Sequence, residues 1–483
     1  MSATPEFTTQ LLLDGEWRPG GGGTFTSINP ATEEALTEVA SADAADADRA
    51  VRAARAAFQG EWAATPPSVR GRLLNRLADL VERDAETLAT LESLDMGGLP
   101  GASLAMHIPN FVASLRYYAG WADKLTGETL PNDGYMGRPA FAYTQREALG
   151  VIAAIVPWNS PIMILGWKLA PALATGNTII VKPAEDASLP ILHIGKLAVE
   201  AGFPPGVVQV LSGPGSVVGE ALTLHPGVDK VSFTGSTEVG RRILRNSAET
   251  FKPTTLELGG KSPNIVFEDA DLEAAIGGAA AGILVNSGQV CAAGSRIFAH
   301  RSVYEAVLDG LQQAVRSQVV ADPFDPRATM GPLVNAKQRD RVQEYIEQGE
   351  AEGARLVAGG GRREGAGFFV NPTVFAGDND LRIAREEIFG PVATVIPFES
   401  DDEVIRLAND SRYALAATMW TRDVRRVHAV SSALQAGAVG VNGWSPLMPQ
   451  LPWGGGKDSG IGSELGTEGI LANTRVKTVT VVL

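Results

Sequence analysis

The chain has 483 residues, 45% hydrophobic and 20% charged. That is the composition of a folded globular protein, and its length corresponds to about three domain-sized units that need neither disulfides nor metals to build a core. Lys and Arg number 41 against 55 Asp and Glu, a net charge of −14, with no basic run anywhere, so no nucleic-acid partner is expected.

The single cysteine, Cys291, excludes an internal disulfide and any multi-cysteine zinc site. The five histidines (His107, His193, His225, His300 and His428) show no metal-ligand spacing, so no metal is expected. The start, Met1 to Glu6, lacks the basic and apolar regions of a signal peptide. The apolar run Gly150 to Val156 falls far short of the roughly 20 residues that span a bilayer. A soluble cytoplasmic protein without a membrane partner is the expectation.

In chain order, the first 40 residues read as extended, with a flexible turn at Gly20 to Gly23. Asp46 to Phe58 and Ser68 to Leu94 have apolar residues at helical spacing; in the second, Leu73, Leu77, Leu80, Leu88 and Leu91 form one stripe, read as core contact. From about Leu149, short apolar runs alternate with helical stretches. The runs are Val151–Val156, Thr178–Val181, Val207–Leu211, Lys230–Phe233 and Thr255–Leu258, and the helices centre on Trp167, Leu197, Val218 and Ile243. Fully apolar strands joined by helices predict an α/β fold with a parallel sheet covered on both faces, and such sheets place ligands at the carboxyl ends of their strands. The alternation resumes with strands at Asn264–Phe267, Ile297–Ala299, Val392–Pro397, Ala416–Trp420 and Ala438–Val441. Helices at Leu272–Val285, Val303–Val319, Lys337–Glu352, Asp401–Ala408 and Val424–Leu434 complete a second α/β domain. Tyr135–Arg146 and Thr474–Leu483 lie outside both patterns and read either as strands that pair with another subunit or as plain edge strands.

Several short segments carry groups capable of chemistry. Cys291 lies between Gly288 and Gly294, which suits a loop with unusual backbone angles or close ligand approach. A thiol there is either a buried small hydrophobe or a nucleophile toward carbonyl carbon. Glu257 ends an apolar strand before Gly259 and Gly260. It is either a turn carboxylate or a cleft carboxylate that burial raises into the general-base range. Phe233-Thr-Gly235-Ser236 closes a strand and opens a helix, and there a phosphate site and a simple N-cap compete. Lys182 and Glu185 follow another strand; they either hold ribose hydroxyls, with Glu185 repelling a 2′-phosphate, or are solvated turn residues. Asn159, between Pro157 and Pro161, either presents its amide to an oxyanion or sits in a turn. Glu387 and Phe389 pair a carboxylate with an apolar ring near a Gly-Pro turn, which alone reads as a helix end.

Together these segments closely resemble the NAD(P)-dependent aldehyde dehydrogenase superfamily over nearly the whole chain. Glu257-Leu-Gly-Gly-Lys and Gly288-Gln-Val-Cys291, with Cys291 34 positions after Glu257, are the most specific. Arg116–Lys124 and Pro452–Gly460 are similar to further family stretches. The resemblance implies Cys291 as nucleophile, Glu257 as general base and Asn159 as oxyanion donor beside the Cys291 backbone N–H. Lys168 falls at the active-site lysine and Glu464 at a carboxylate linked to proton relay. Trp158, Lys182, Glu185, Phe233, Gly235, Ser236, Glu387 and Phe389 fall at positions for the cofactor, NAD rather than NADP.

The architecture so implied has a Rossmann-like NAD-binding domain (1–125, 146–256 and 457–473) and a catalytic domain (257–456). An oligomerisation element (126–145 and 474–483) would build a homodimer or homotetramer. Substrate-tunnel positions of the family appear as Asn110, Ser160, Met163, Trp167, Val285, Val290, Leu447 and Trp453. Ser160 and Val285 are small where many relatives carry aromatics, Trp453 stands where Phe is common, and Ser463 where Arg is common. A roomier tunnel for a bulky apolar or aromatic aldehyde is the expectation. A CoA-acylating enzyme and a catalytically silent binding protein are the competing readings; the presence of Glu257 argues against the first, and the Cys291, Glu257 and Asn159 set against the second.

Overall fold

The computed structural model describes residues 5–483; the first four residues, included above in the search for a signal sequence, lie outside them. Five parallel strands form the centre of an eight-stranded sheet, in the order Val208–Val210, Thr178–Lys182, Val151–Ile155, Lys230–Thr234 and Thr254–Glu257. Every residue of the middle three is buried, as strands covered on both faces must be. Leu11–Leu13 and Glu16–Arg18 extend one edge antiparallel. Gly460–Ile461 closes the other, antiparallel to Thr254–Glu257. Strand order reverses between Val151–Ile155 and Lys230–Thr234. The loops leaving their carboxyl ends run apart there and open a crevice.

The second sheet has seven strands: Arg355–Ala358, Thr373–Ala376, Val392–Phe398, Arg296–His300, Pro263–Val266, Ala416–Trp420 and Ala438–Val441. All neighbours are parallel except the first pair. Residues 258–262 pass directly from the last parallel strand of the first sheet to the second sheet. A third, three-stranded sheet pairs Thr474–Val482 with Ala140–Ala148 over nine residue pairs, with Thr129–Leu130 beyond. Phe141, Val476, Val481 and Val482 are exposed on it.

One helix bears directly on the site. Pro161–Ala174 opens with a proline whose missing N–H costs nothing at a first turn, and all fourteen of its residues are buried. Lys168 is among them, two turns from the helix start, and a lysine so placed needs a partner.

The structure departs from the sequence reading in several places. The stretch 68–94 is two helices, Pro67–Arg83 and Ala85–Met96, broken at Asp84. The buried face of the first is Gly71, Leu74, Leu77, Ala78 and Val81, so Leu73 and Leu80 sit at its flank. The Asp84 carboxylate is held by Arg83 and by His193 Nε2 at 2.8 Å, which fixes the break. Gly20 to Gly23 is not a loose turn: Gly22 N donates to Ser41 O at 2.9 Å and Gly21 N to the Asp46 carboxylate at 2.7 Å. The helix Ile108–Trp121 was not read from the sequence, although Ile108, Phe111, Val112, Leu115, Tyr118 and Ala119 carry its buried face at helical spacing. Around Val218 the helix is a π-turn, Gly215–Gly219, followed by one short α-turn. Among the described residues no helix is long and apolar enough to cross a membrane.

Candidate active site

Cys291 lies in the loop joining helix Leu272–Leu284 to strand Arg296–His300. Three consecutive residues before it, Asn286 (φ 52°), Ser287 (φ 55°) and Gly288 (φ 72°), are left-handed. Only glycine fits at 288, because a Cβ there would stand 2.2 Å from Gly390 O. Two non-glycine residues in this region store strain, which the surroundings must hold. They do so through amides. Asn286 Nδ2 donates to Asn159 O at 2.6 Å, and Asn159 Nδ2 donates to Gln289 O at 2.9 Å. The Gln289 side chain accepts from Val334 N at 2.9 Å. Asn159 is thus tied to the Cys291 loop by one of its two amide N–H groups, and the other remains for an oxygen in the site.

The paired glycines after Glu257 now have a physical reason. A Cβ at Gly259 would lie 2.2 Å from Glu387 Oε2, and one at Gly260 would lie 2.3 Å from Cys291 O. The segment is threaded between the Glu387 carboxylate and the cysteine backbone. Gly260 N donates to Glu387 Oε1 at 2.9 Å. Burial pushes Glu387 up to about 7, opposed by that hydrogen bond and by Arg341 and Lys261.

Glu257 ends its strand 3% exposed, and neither carboxylate oxygen has a hydrogen-bond partner. Burial raises it well above the usual carboxylate range; the charge of Glu464 raises it further, and Lys168 acts against both. Burial also pushes the Cys291 thiol up to about 12, with Glu257 and then Glu387 adding to the shift. Behind Glu257, Lys168 Nζ pairs with Glu464 Oε1, and Ser232 Oγ bridges them, accepting from Lys168 at 3.2 Å and donating to Glu464 at 2.9 Å. Glu464 reaches this position because residues 457–473 return to the first sheet: Trp453 and Glu464 exchange backbone hydrogen bonds at 2.7 Å.

The crevice at the strand-order reversal is a cleft of about 530 Å³ lined by Trp158, Lys182, Glu185, Phe233 and Gly235, among others. Lys182 is buried, which lowers its pKa, and it binds Glu185 at 3.0 Å. Glu185 also accepts from Gly215 N at 3.2 Å. Gly235 is compact by necessity, since a Cβ would meet the Phe233 ring at 2.5 Å. Ser236 is exposed and caps helix Thr237–Ala248 by accepting from Val239 N at 3.4 Å, so its hydroxyl serves the N-cap. Phe389 (φ 61°) meets Trp158 edge to face at 5.2 Å and is held by Gln338 Nε2, which donates to its carbonyl at 2.7 Å. The cleft thus combines backbone N–H groups, carboxylates and a lysine at strand ends with aromatic rings, a donor set that fits a dinucleotide.

Five of the eight expected tunnel residues come together around the thiol. Met163, Trp167, Val290, Leu447 and Trp453 share one apolar cluster with Cys291, and the two tryptophan rings lie 6.4 Å apart. Asn110 borders them, accepting from Trp167 Nε1 at 2.8 Å and donating to Leu447 O. Val285 lines an adjoining pocket of about 110 Å³ with Met106 and His107, and Met106 also packs in the cluster that holds Cys291. Ser160 is 5% exposed and hydrogen-bonded within the protein.

A model of the aldehyde dehydrogenase family matches residues 17–479. The chain belongs to that family. It is 46% identical to retinal dehydrogenase 2 of Gallus gallus over 478 residues, covering 98% of this chain and 92% of that one. Among solved structures, the NAD+ complex of an aldehyde dehydrogenase from Bacillus cereus is 47% identical, with a TM-score of 0.96, covering 99% of this chain and 97% of that one. The indole-3-acetaldehyde dehydrogenase AldA of P. syringae, solved with NAD+ and IAA, is 42% identical at a TM-score of 0.96, covering 99% and 97%. This member of the family is accordingly an oxidoreductase acting on aldehydes.

Sequence reasoning missed several residues that shape its site. Gln289 and Asn286 stand inside the quoted cysteine motif, yet only the fold shows which carbonyls they hold. Ser232 lies mid-strand, and Arg341 and Gln338 fasten the carbonyls of Glu387 and Phe389 from a helix about 50 positions earlier. Glu92 and His107 gave no sequence signal at all.

Proposed function

We propose that this enzyme oxidises bulky apolar or aromatic aldehydes to carboxylic acids with NAD, through an acyl group carried on Cys291 and released by water that Glu257 activates. The observation that carries the reading is the buried, unpartnered carboxylate of Glu257 on the segment that packs against the Cys291 backbone, in a loop that Asn159 also holds. Cys291 gives its thiol proton to solvent, and the thiolate sulfur attacks the carbonyl carbon. The electron pair moves to the carbonyl oxygen, which the second Asn159 N–H and the Cys291 N–H stabilise. NAD, held in the cleft lined by Trp158, Lys182, Glu185 and Phe233, would supply the hydride acceptor for this adduct. The thioester left on Cys291 is attacked by water as Glu257 takes the water proton; the acid leaves and the sulfur regains its electron pair. A general base works best with a pKa near the working pH, and the upward shift of Glu257 serves that purpose. Lys168 and Glu464 hold the charge behind it.

Glu185 at the cleft edge favours NAD over NADP, because a carboxylate there binds ribose hydroxyls and repels a 2′-phosphate. Trp158, Lys182, Phe233, Gly235, Glu387 and Phe389 complete the cofactor's surroundings in this reading. The paired tryptophans favour a flat or bulky apolar substrate, and relatives named for retinal and indole-3-acetaldehyde agree with that size. The exposed apolar side chains on the Thr474–Val482 sheet support assembly into a homodimer or homotetramer of a cytoplasmic enzyme. An aldehyde panel tests the reading: acetaldehyde, benzaldehyde and a long-chain aldehyde, each with NAD and with NADP, followed by NADH or NADPH formation. Strong preference for acetaldehyde overturns the substrate class, and equal rates with NADP overturn the role of Glu185.

A further inference from the structure

Beneath Asn159 runs a buried polar chain that the reaction scheme above does not use. Ser160 Oγ donates to Asn159 O at 2.7 Å and lies 3.3 Å from His107 Nε2. His107 Nδ1 lies 2.8 Å from Glu92 Oε2, and Glu92 Oε1 accepts from Ile162 N at 3.4 Å. All three side chains are buried: Glu92 is 2%, His107 4% and Ser160 5% exposed. They come from three elements: helix Ala85–Met96, the π-turn Ser103–His107, and the residue before helix Pro161–Ala174.

A hydroxyl has one proton, and Ser160 gives it to the Asn159 backbone carbonyl, the shorter of its two contacts. His107 bridges Ser160 Oγ through Nε2 and Glu92 through Nδ1, so the contacts run unbroken from Glu92 to Asn159. Its carbonyl therefore accepts from Ser160 on one side and from Asn286 on the other, while its amide donates to Gln289 O. A group that must sit within about half an ångström of a developing charge gains from such double fixing.

We propose that Glu92, His107 and Ser160 are positioning residues that hold Asn159 so that its second amide N–H faces the substrate oxygen. The inference rests on Asn159 being the oxyanion donor. It also gives the small residue at 160 a task other than enlarging the tunnel.

A double-mutant cycle tests it, with Asn159→Ala, Ser160→Ala and the double variant assayed on acetaldehyde and benzaldehyde. Asn159→Ala is expected to lower kcat by 10² to 10³, the usual loss of one oxyanion donor. Ser160→Ala is expected to lower kcat about tenfold, equally for both aldehydes, with KM within about twofold. On the Asn159→Ala background it should change kcat by less than about twofold, because residues acting through one another are not additive. Ser160→Thr keeps the hydroxyl and should restore most of the rate. Ser160→Cys has nearly the same shape and only a weak donor, and it stands in if Ser160→Ala does not fold, as thermal melts will tell. A tenfold loss on both backgrounds overturns the proposal. So does a change confined to KM that differs between the two aldehydes, which would make Ser160 a tunnel wall. A small effect of Asn159→Ala alone overturns instead the oxyanion assignment beneath it.

Discussion

Replacing Glu257 by glutamine keeps the shape of the side chain and removes its ability to take a proton. The two other carboxylates near it are each tied through one oxygen, Glu464 Oε1 to Lys168 and Ser232 and Glu387 Oε1 to Gly260 N. A general base contributes about 10² to 10⁴ in rate. A loss near 10³, about 4 kcal/mol of barrier, is expected in the release of the acyl group. Formation of the thioester does not need this base to activate water, so it should slow far less. Stopped-flow mixing with saturating NAD and benzaldehyde should then show a burst approaching one NADH per chain, followed by a steady state about a thousandfold below wild type. A second readout comes from stability. Burial raises Glu257 well above its unfolded value. The wild type is therefore fully stable below that unfolded value and loses stability as pH rises through the folded value. Glu257→Gln carries no such penalty, so its melting temperature should exceed that of wild type at pH 8, and the gap should close near pH 4 to 5. A steady-state loss below tenfold, or a burst that vanishes together with the steady state, refutes the reasoning.

Glu185→Ser removes the carboxylate that faces the cleft beside Lys182; kcat/KM with NADP relative to NAD should rise at least about tenfold, a shift of some 1.4 kcal/mol, and an unchanged ratio would show that selectivity lies elsewhere. Because burial and then Glu257 push the Cys291 thiol up to about 12, alkylation by iodoacetamide without cofactor should climb about tenfold per pH unit from 7 to 10, and a plateau near pH 8.5 counts against that environment. Lys168→Met leaves the Glu464 carboxylate buried without its cation; a stability loss of about 3–5 kcal/mol by urea denaturation is expected, and a variant as stable as wild type would mean that water reaches the pair.

The parallel strands were legible because most are short runs rich in Val, Ile and other apolar residues, and their ends carried the glycines and carboxylates of the cleft. Predicted and observed strands from Val151 to Val441 differ by a residue or two at their ends. The strands Leu11–Leu13, Glu16–Arg18, Arg355–Ala358 and Thr373–Ala376, at or next to the sheet edges, were not resolved from the pattern, since three or four residues leave little periodicity. The break at Asp84 was hidden because aspartate is an ordinary helix-surface residue; only the neighbouring His193 reveals it. Within the site, Cys291, Glu257 and Asn159 stood out through their glycine and proline surroundings. The partners that hold them did not, because Glu92, His107, Ser232 and Gln338 meet their targets only through the tertiary fold. Ser160 shows the same limit: its size was visible, but its hydrogen bonds were not.

The helix Pro161–Ala174 has a mechanical consequence. Its head abuts Asn159 and Ser160, and its second turn delivers Lys168 to Glu464, about 10 Å along the axis. Packed on every side, it is a strut joining the residue proposed as oxyanion donor to the ion pair that lies behind the proposed base. A core substitution that tilts it disturbs both ends at once, so variants that repack this strut will alter the early and late halves of turnover together.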